Sequence, residues 1–287
     1  MRSGNKVRVS LLFEEVRLMR TTTKGIAILV AVTLVASVAS AEGDIDASDP
    51  TKIQTFAGPG IKYTSFADGT HLSEIRATGN IGLGEQDMIM FELGYGDFDG
   101  PAISGDKTRG LTNARARWFH LFKMDSNITK GYRGWATQID LQLEGDVVRT
   151  SGSNTVAMGA LPAFGINEEW SFYLPINYVS TWNSDFKEHT GHGISIAPMA
   201  AYAPAVGPWP GFFLQIWPSY TRYFAGDLDG EGAANLDITI GWAPASRWVA
   251  TAVFQKNFDK NFEGFRRPGV VSGANDWNVF ASATYYF

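Results

Sequence analysis

The chain has no cysteine. Disulfides and thiolate metal sites are therefore excluded, and an exported domain of this size needs another source of stability, of which a closed hydrogen-bonded sheet is one. Beyond residue 41 no apolar run approaches the roughly 20 residues that a membrane-spanning helix requires. Positive charge is also in deficit, with 24 Lys/Arg against 29 Asp/Glu, so nothing attracts a polyanion and no nucleic-acid partner is expected. There is no phosphate-cradling glycine loop and no periodicity that suggests a cofactor helix, and no cofactor is expected. Residues 55–287 contain no Ser/Pro linker and no low-complexity tract.

The first 41 residues differ from the remainder. From Met19 they have the layout of a secretory signal: Arg20 and Lys24, an apolar run over Gly25–Ala36, then Ala39-Ser40-Ala41 before Glu42. A basic start, a short apolar core and an A-x-A-like site form the signal-peptide pattern, so 1–41 is read as a cleaved signal peptide whose translation start is Met19. That segment holds six of the Lys/Arg and two of the acids, which leaves 18 basic and 27 acidic residues, net −9, in a mature chain of 246. Residues 42–54 are acidic and polar and are expected to form a flexible periplasmic leader. The remainder, 55–287, is expected to be one all-β domain.

What the chain has in abundance is alternation. Trp277, Val279, Ala281, Ala283, Tyr285 and Phe287 fall on one parity of the last segment, and Asn278, Phe280, Ser282, Thr284 and Tyr286 on the other. Successive strand side chains point to opposite faces. Ile75, Ala77, Gly79, Ile81 and Leu83 alternate in the same way with Glu74, Arg76, Thr78 and Asn80. So do Trp135, Thr137, Ile139, Leu141 and Leu143 with Ala136, Gln138, Asp140, Gln142 and Glu144. The pattern predicts about twelve strands, near 55–66, 71–83, 88–96, 111–123, 132–144, 154–165, 170–180, 193–202, 211–223, 234–242, 247–257 and 277–287.

The connections fall into two classes. Short ones follow the second, sixth and tenth strands; longer ones rich in Gly, Asp and Ser follow the third, fifth, seventh, ninth and eleventh. Tryptophan is graded by depth. Trp118, Trp135, Trp170, Trp209, Trp242 and Trp248 lie at the short-turn end together with Phe287, while Trp182 and Trp277 lie at the other. Short turns at one end, long loops at the other and aromatic girdles at both are features of a transmembrane barrel. A soluble sandwich gives no reason for rings of tryptophan.

The aromatic carboxy-terminal ending resembles the closing strand of bacterial outer-membrane β-barrels. That resemblance implies an even-stranded antiparallel barrel, monomeric, embedded in outer-membrane lipid, closed by the strand ending at Phe287 and recognised there by the barrel-assembly machinery. The element Gly110-Leu111-Thr112-Asn113-Ala114-Arg115-Ala116-Arg117-Trp118-Phe119, with Ile194–Tyr202 and the Tyr285-Tyr286-Phe287 ending, resembles the outer-membrane transporters grouped as the meta-pathway phenol-degradation family. This second resemblance implies passage of a small hydrophobic or aromatic solute.

Candidate chemistry lies on the inward parity. Glu74, Arg76, Glu92, Arg115, Arg117, Asp140 and Glu144 fall there on strands two to five, and Asp237 on strand ten. Adjacent strands would set Glu92 between Arg76 and the Arg115/Arg117 pair, with Asp140 beyond. Cross-strand opposite charges can pair, so these residues are candidates either for a solute-selecting constriction or for a salt-bridge ladder that stiffens a narrow barrel. Enzyme chemistry is not expected. His192 and Ser195 are the one close His/Ser pair, and at three apart on a strand they face opposite sides. No metal is expected: His189, His192 and Asp185 fit a polar surface loop better than a metal site, and the Asp-x-Asp-Gly segments at 97–100 and 227–230 are turn signals before they are calcium loops. The reading is an outer-membrane channel for a small solute. Its rival is a non-transporting structural or surface-binding barrel with a plugged lumen, in which the loop 258–276 serves as a docking surface rather than a lid.

Overall fold

The computed structural model describes residues 47–101, 107–147, 154–183, 185–204, 210–245, 247–258 and 275–287. Residues 1–41, expected to be a signal segment, residues 42–46 and the loop residues 259–274 lie outside the described residues. The elements in chain order are β1 (Phe56–Phe66), β2 (His71–Leu83), β3 (Asp87–Phe98), β4 (Arg109–Phe122), β5 (Gly131–Glu144), β6 (Asn154–Gly165) and β7 (Trp170–Tyr173). They continue with β8 (Ile176–Trp182), β9 (His189–Ile196), β10 (Met199–Tyr202), β11 (Phe212–Gly226), β12 (Gly232–Ala245), β13 (Trp248–Asn257) and β14 (Asn275–Tyr286).

These fourteen strands make twelve staves. β7 and β8 are two halves of one stave, interrupted at Leu174-Pro175; β9 and β10 are two halves of the next, interrupted at Ala197-Pro198. The alternation alone predicts a single unbroken strand at each of these two places. Proline has no N–H to donate to a ladder, so the strand is interrupted over the two residues ending in Pro175 and Pro198 and resumes at Ile176 and Met199. β6 runs alongside both halves, pairing β8 through 154–160 and β7 through 163–165. At Gly159 the opposing strand comes so close that a Cβ would lie 1.9 Å from the Ile176 carbonyl oxygen. Only glycine fits at that approach.

Every neighbouring pair is antiparallel, and β1 closes the ring on β14, from Phe56 opposite Tyr286 to Phe66 opposite Asn275. Closure removes the free edges that make an open sheet a template for aggregation. The last strand is therefore structural as well as terminal: the Phe287 N–H donates to the Thr55 carbonyl, 3.0 Å.

The two faces are inverted relative to a water-soluble protein. Ile61 is 66 % exposed, Ile75 56 % and Trp242 51 %, while Glu74 is 5 % exposed and Asn278 3 %. Large apolar side chains stand outward on staves all round the ring, including Ile139, Met158, Ile176, Ile194, Tyr220, Ile240 and Phe254. An apolar belt of that extent is stable only against an apolar phase.

Candidate functional site: the barrel lumen

The lumen has two zones. Toward the long-loop end it is charged. Lys62 on β1 stands opposite Glu74 on β2, Nζ to Oε2 3.9 Å. Arg76 then bridges Glu74 at 3.1 Å and Glu92 on β3 at 2.9 Å. Glu92 stands opposite Arg115 on β4, 4.0 Å away. Arg115 grips Asp140 on β5 with Nε and Nη2, at 2.9 and 2.6 Å, and Arg117 reaches the same carboxylate at 2.9 Å. One ion-pair ladder thus crosses five adjacent strands, with four cations and three anions. Each side chain is placed by parity, and each contact by strand register.

Gly94 makes room for part of it. A Cβ there would meet Thr112 Oγ1 at 2.3 Å, Asn113 Oδ1 at 2.4 Å and Glu74 Oε1 at 3.0 Å. Without that side chain, the Thr112 hydroxyl donates to Glu74 Oε1 at 2.5 Å, tying β4 to β2 across the inner surface of β3. Lys62 and Thr112 were not among the residues singled out from the sequence. Lys62 had a legible signal, since Ile61-Lys62-Tyr63-Thr64 alternates with the lysine on the polar parity; Thr112 had none, because its role depends on the gap over Gly94.

Asp237 sits on β12, six staves from β4 in either direction, so it belongs to the wall opposite Arg115 and Arg117. Its Oδ1 is buried with no hydrogen-bond partner among the described residues. Burying an unpaired polar atom is costly, so the lumen at this level is asymmetric: a paired basic ladder on one side, an under-satisfied acid on the other.

Toward the short-turn end the inward residues turn apolar. Met88, Phe119, Leu121, Ala136, Leu161, Tyr173 and Met199 form one buried cluster, with Ile53, Met90 and Trp217 packed against it. Phe213, Val249 and Tyr286 form another. All of these but Ile53 line a chamber of about 250 Å3, which Arg117, Asn80, Gln138, Gln215 and Thr251 also border. Among the described residues Trp217 is the one tryptophan on the inner face of its strand, while Trp118, Trp135, Trp170, Trp242 and Trp248 stand on the outer parity.

Those outer aromatics form contacts among themselves. Phe122 stacks on Trp135, with centroids 4.3 Å apart; Trp170 lies 4.9 Å from Tyr202, Trp248 5.2 Å from Tyr285, and Tyr285 5.2 Å from Phe287. Trp118 donates its indole N–H to Asp87 at 3.0 Å, and the His120 ring nitrogen meets the same oxygen at 3.0 Å. Trp209 lies outside the described residues.

The floor of the chamber is the chain's own segment ahead of β1. Residues 47–54, the described part of the expected leader 42–54, lie inside the ring together with Thr55. Tyr173 donates its hydroxyl to Asp49 Oδ1 at 2.9 Å, and Arg133 stands 3.9 Å from Asp49 Oδ2. Gln215 donates to the Ser48 carbonyl at 3.2 Å and Asn80 to the Gln54 carbonyl at 2.6 Å. These anchors come from β7, β5, β11 and β2, so the segment spans the bore. Below it lies a second, polar cavity of about 370 Å3 bordered by Arg133, Glu168, Glu169 and Ser171.

The histidine residues belong elsewhere. His189 and His192 stack at 3.8 Å on the outer face near the long loops, where Ser180 Oγ meets His189 Nε2 at 2.7 Å. His192 shares its parity with the outward Ile194, and Ser195 lies on the other. Among the described residues no group of His, Asp and Glu is arranged to hold a metal ion. Asp97 pairs with Arg109, and Asp99 accepts the His71 N–H at 2.6 Å, so the first Asp-x-Asp-Gly segment ties strand ends together.

No protein-family model matches the sequence, and no curated protein does either. Among solved structures the chain is similar to an outer-membrane channel from Pseudomonas putida F1, at 11 % identity and a TM-score of 0.54, over 86 % of this chain and 100 % of that one. The fold is that of an outer-membrane β-barrel. NanC porin aligns over 81 % of this chain and 99 % of its own, at 7 % identity and a TM-score of 0.49. KdgM porin aligns over 79 % and 99 %, at 8 % identity and 0.45.

Proposed function

We propose that this outer-membrane barrel is a non-enzymatic channel for a small apolar or aromatic solute. The observation that carries the reading is the chamber of about 250 Å3 enclosed within the lumen by Met88, Met90, Phe119, Leu121, Trp217, Phe280 and Tyr286. A barrel that merely filled its bore would close such a space, because interiors pack densely and a void forfeits contact energy. Polar side chains such as Asn80, Gln138, Gln215 and Thr251 also border the space, but methionine and aromatic rings make most of its surface apolar, which suits a solute that leaves water readily. The resemblance of the Gly110–Phe119 element to the phenol-degradation transporters points to the same solute class, and the outer-membrane channel from Pseudomonas putida F1 shares the barrel fold.

In this reading the ladder from Lys62 to Asp140, with Asp237 opposite, sets a modest electrostatic preference above the chamber, because its charges are largely compensated. The chamber favours solutes that leave water readily. Trp118, Trp135, Trp170, Trp209, Trp242, Trp248 and Phe287 hold the barrel at the lipid interface, and the last strand is the element offered to the assembly machinery. The signal segment 1–41 directs export.

The competing reading, a non-transporting barrel with a plugged lumen, is favoured by one observation: residues 47–55 lie across the bore. Flux decides between them. Purified protein in liposomes should admit small uncharged aromatic alcohols faster than sugars of similar size. Folded protein that admits sugars and aromatics equally would overturn the solute class.

A further inference from the structure

We infer that residues 47–55 are an autoinhibitory plug, latched through Asp49, that must leave the bore for the channel to open. The inference rests on the channel reading above. Both cavities share Ala47, Asp49 and Lys52 as lining, so the segment is the partition between the apolar chamber and the polar vestibule. A solute crossing from one to the other meets it.

The way the segment is held suits a part that moves. Residues 47–55 belong to none of the strands, so leaving the bore does not unzip the ladder that closes the ring. Thr55 is its fixed point: its carbonyl accepts the Phe287 N–H at 3.0 Å and its hydroxyl the Gly82 N–H at 3.0 Å. Ahead of that pivot the anchors include polar contacts at Ser48, Asp49 and Gln54, with Ile53 and Ala47 packed against the two apolar clusters. The firmest is at Asp49, whose Oδ1 takes the Tyr173 hydroxyl at 2.9 Å and the Thr51 N–H and hydroxyl at 2.9 and 2.5 Å. The Arg133 guanidinium beside it is fixed independently. It donates to the carbonyls of Ile128 and Ser126 at 2.7 and 2.6 Å and to Ser171 Oγ at 2.7 Å, so the socket persists when Asp49 leaves. A preset socket and a tethered carboxylate together make a reversible latch. Breaking the Tyr173–Asp49 bond removes a charge-assisted contact, and the open fraction should rise about ten-fold or more.

The absence of native cysteine makes the test clean. Ser48→Cys with Gln215→Cys introduces the only two thiols, at positions already in contact through the Gln215 amide and the Ser48 carbonyl. A short bifunctional thiol reagent then pins the segment to β11. Current through planar bilayers is compared for the pinned and unpinned protein, for Asp49→Ala and Tyr173→Phe, and for deletion of 47–52. Heat-modifiable migration on gels confirms a folded barrel each time. The expected result is brief openings in the parent, longer occupancy of the open state in Asp49→Ala and Tyr173→Phe, sustained current after deletion, and none when pinned. Pinned protein that conducts like the deletion overturns the plug and leaves the channel standing. Failure of the reagent to bridge 48 and 215 also overturns it. Folded protein that carries no current even after deletion removes the plug and the channel reading together.

Discussion

Asp140 is the point where the ladder can be cut with the largest effect. Its carboxylate holds both Arg115, at 2.6 Å, and Arg117, at 2.9 Å. Asp140→Asn keeps the shape and removes the charge, so two guanidinium groups on the same strand face each other without their shared counter-ion. The ladder then has four cations against two anions. Exposed ion pairs contribute about 0–1 kcal/mol, whereas removing one partner of a buried pair costs about 3–5 kcal/mol. Asp140 and Arg117 are 13 % and 14 % exposed and Arg115 is 29 %, which sets this site between the two regimes. A loss of about 2–3 kcal/mol follows. With a urea dependence of roughly 1–3 kcal/mol/M, the unfolding midpoint of bilayer-folded protein should fall by roughly 1 M, read by tryptophan fluorescence. Ion preference should move toward anions in the same variant. The two effects should separate in salt. At 1 M the screening length is about 3 Å, which suppresses the long-range ion preference but leaves pairs already in contact largely intact. An unchanged midpoint together with unchanged ion preference would refute the assignment of this ladder to both structure and selection.

Further outcomes follow from the same geometry. Arg115→Gln with Arg117→Gln should swing ion preference toward cations, because Asp140 loses both its counter-ions and Glu92 is left with Arg76 alone; reversal-potential measurements read this directly. Ile238→Arg, on the outward parity opposite Phe254, should cost about 2–4 kcal/mol if near the bilayer midplane, whereas Thr239→Arg, which enters the lumen, should cost clearly less; equal losses in folding titrations would mean the faces are reversed. Trp135→Ala removes the stack on Phe122 and should lose about 0.5–1.5 kcal/mol beyond the area term, without altering conductance. Met90→Trp should fill the chamber and slow aromatic flux in liposomes while the heat-modifiable gel shift is retained; undiminished flux would place the solute route elsewhere.

Strand parity was legible in residues alone. Ile75 against Arg76, or Ile139 against Asp140, assigns each side chain to lipid or lumen, because a strand repeats every two residues whatever surrounds it. Turn length and the depth of tryptophan supplied the two ends of the barrel, and alternating opposite charges made a ladder plausible. Height and reach were not legible. Whether Lys62 meets Glu74, or Asp140 serves both arginines, depends on the register between neighbouring strands, which no single strand encodes. The apolar lower lumen was missed for the same reason. Met88, Phe119, Leu161 and Tyr173 come from four strands, and their meeting at one depth is a property of the closed ring. Proline was visible at 175 and 198, but the halved staves follow only once β6 and β11 are seen pairing with both halves. Least legible of all was the course of residues 47–55. Their polar composition matches a solvated leader, and nothing local distinguishes that from a segment crossing the bore. That course was decided by Tyr173, Arg133, Gln215 and Asn80, which are distant in sequence and converge on it only because the sheet closes.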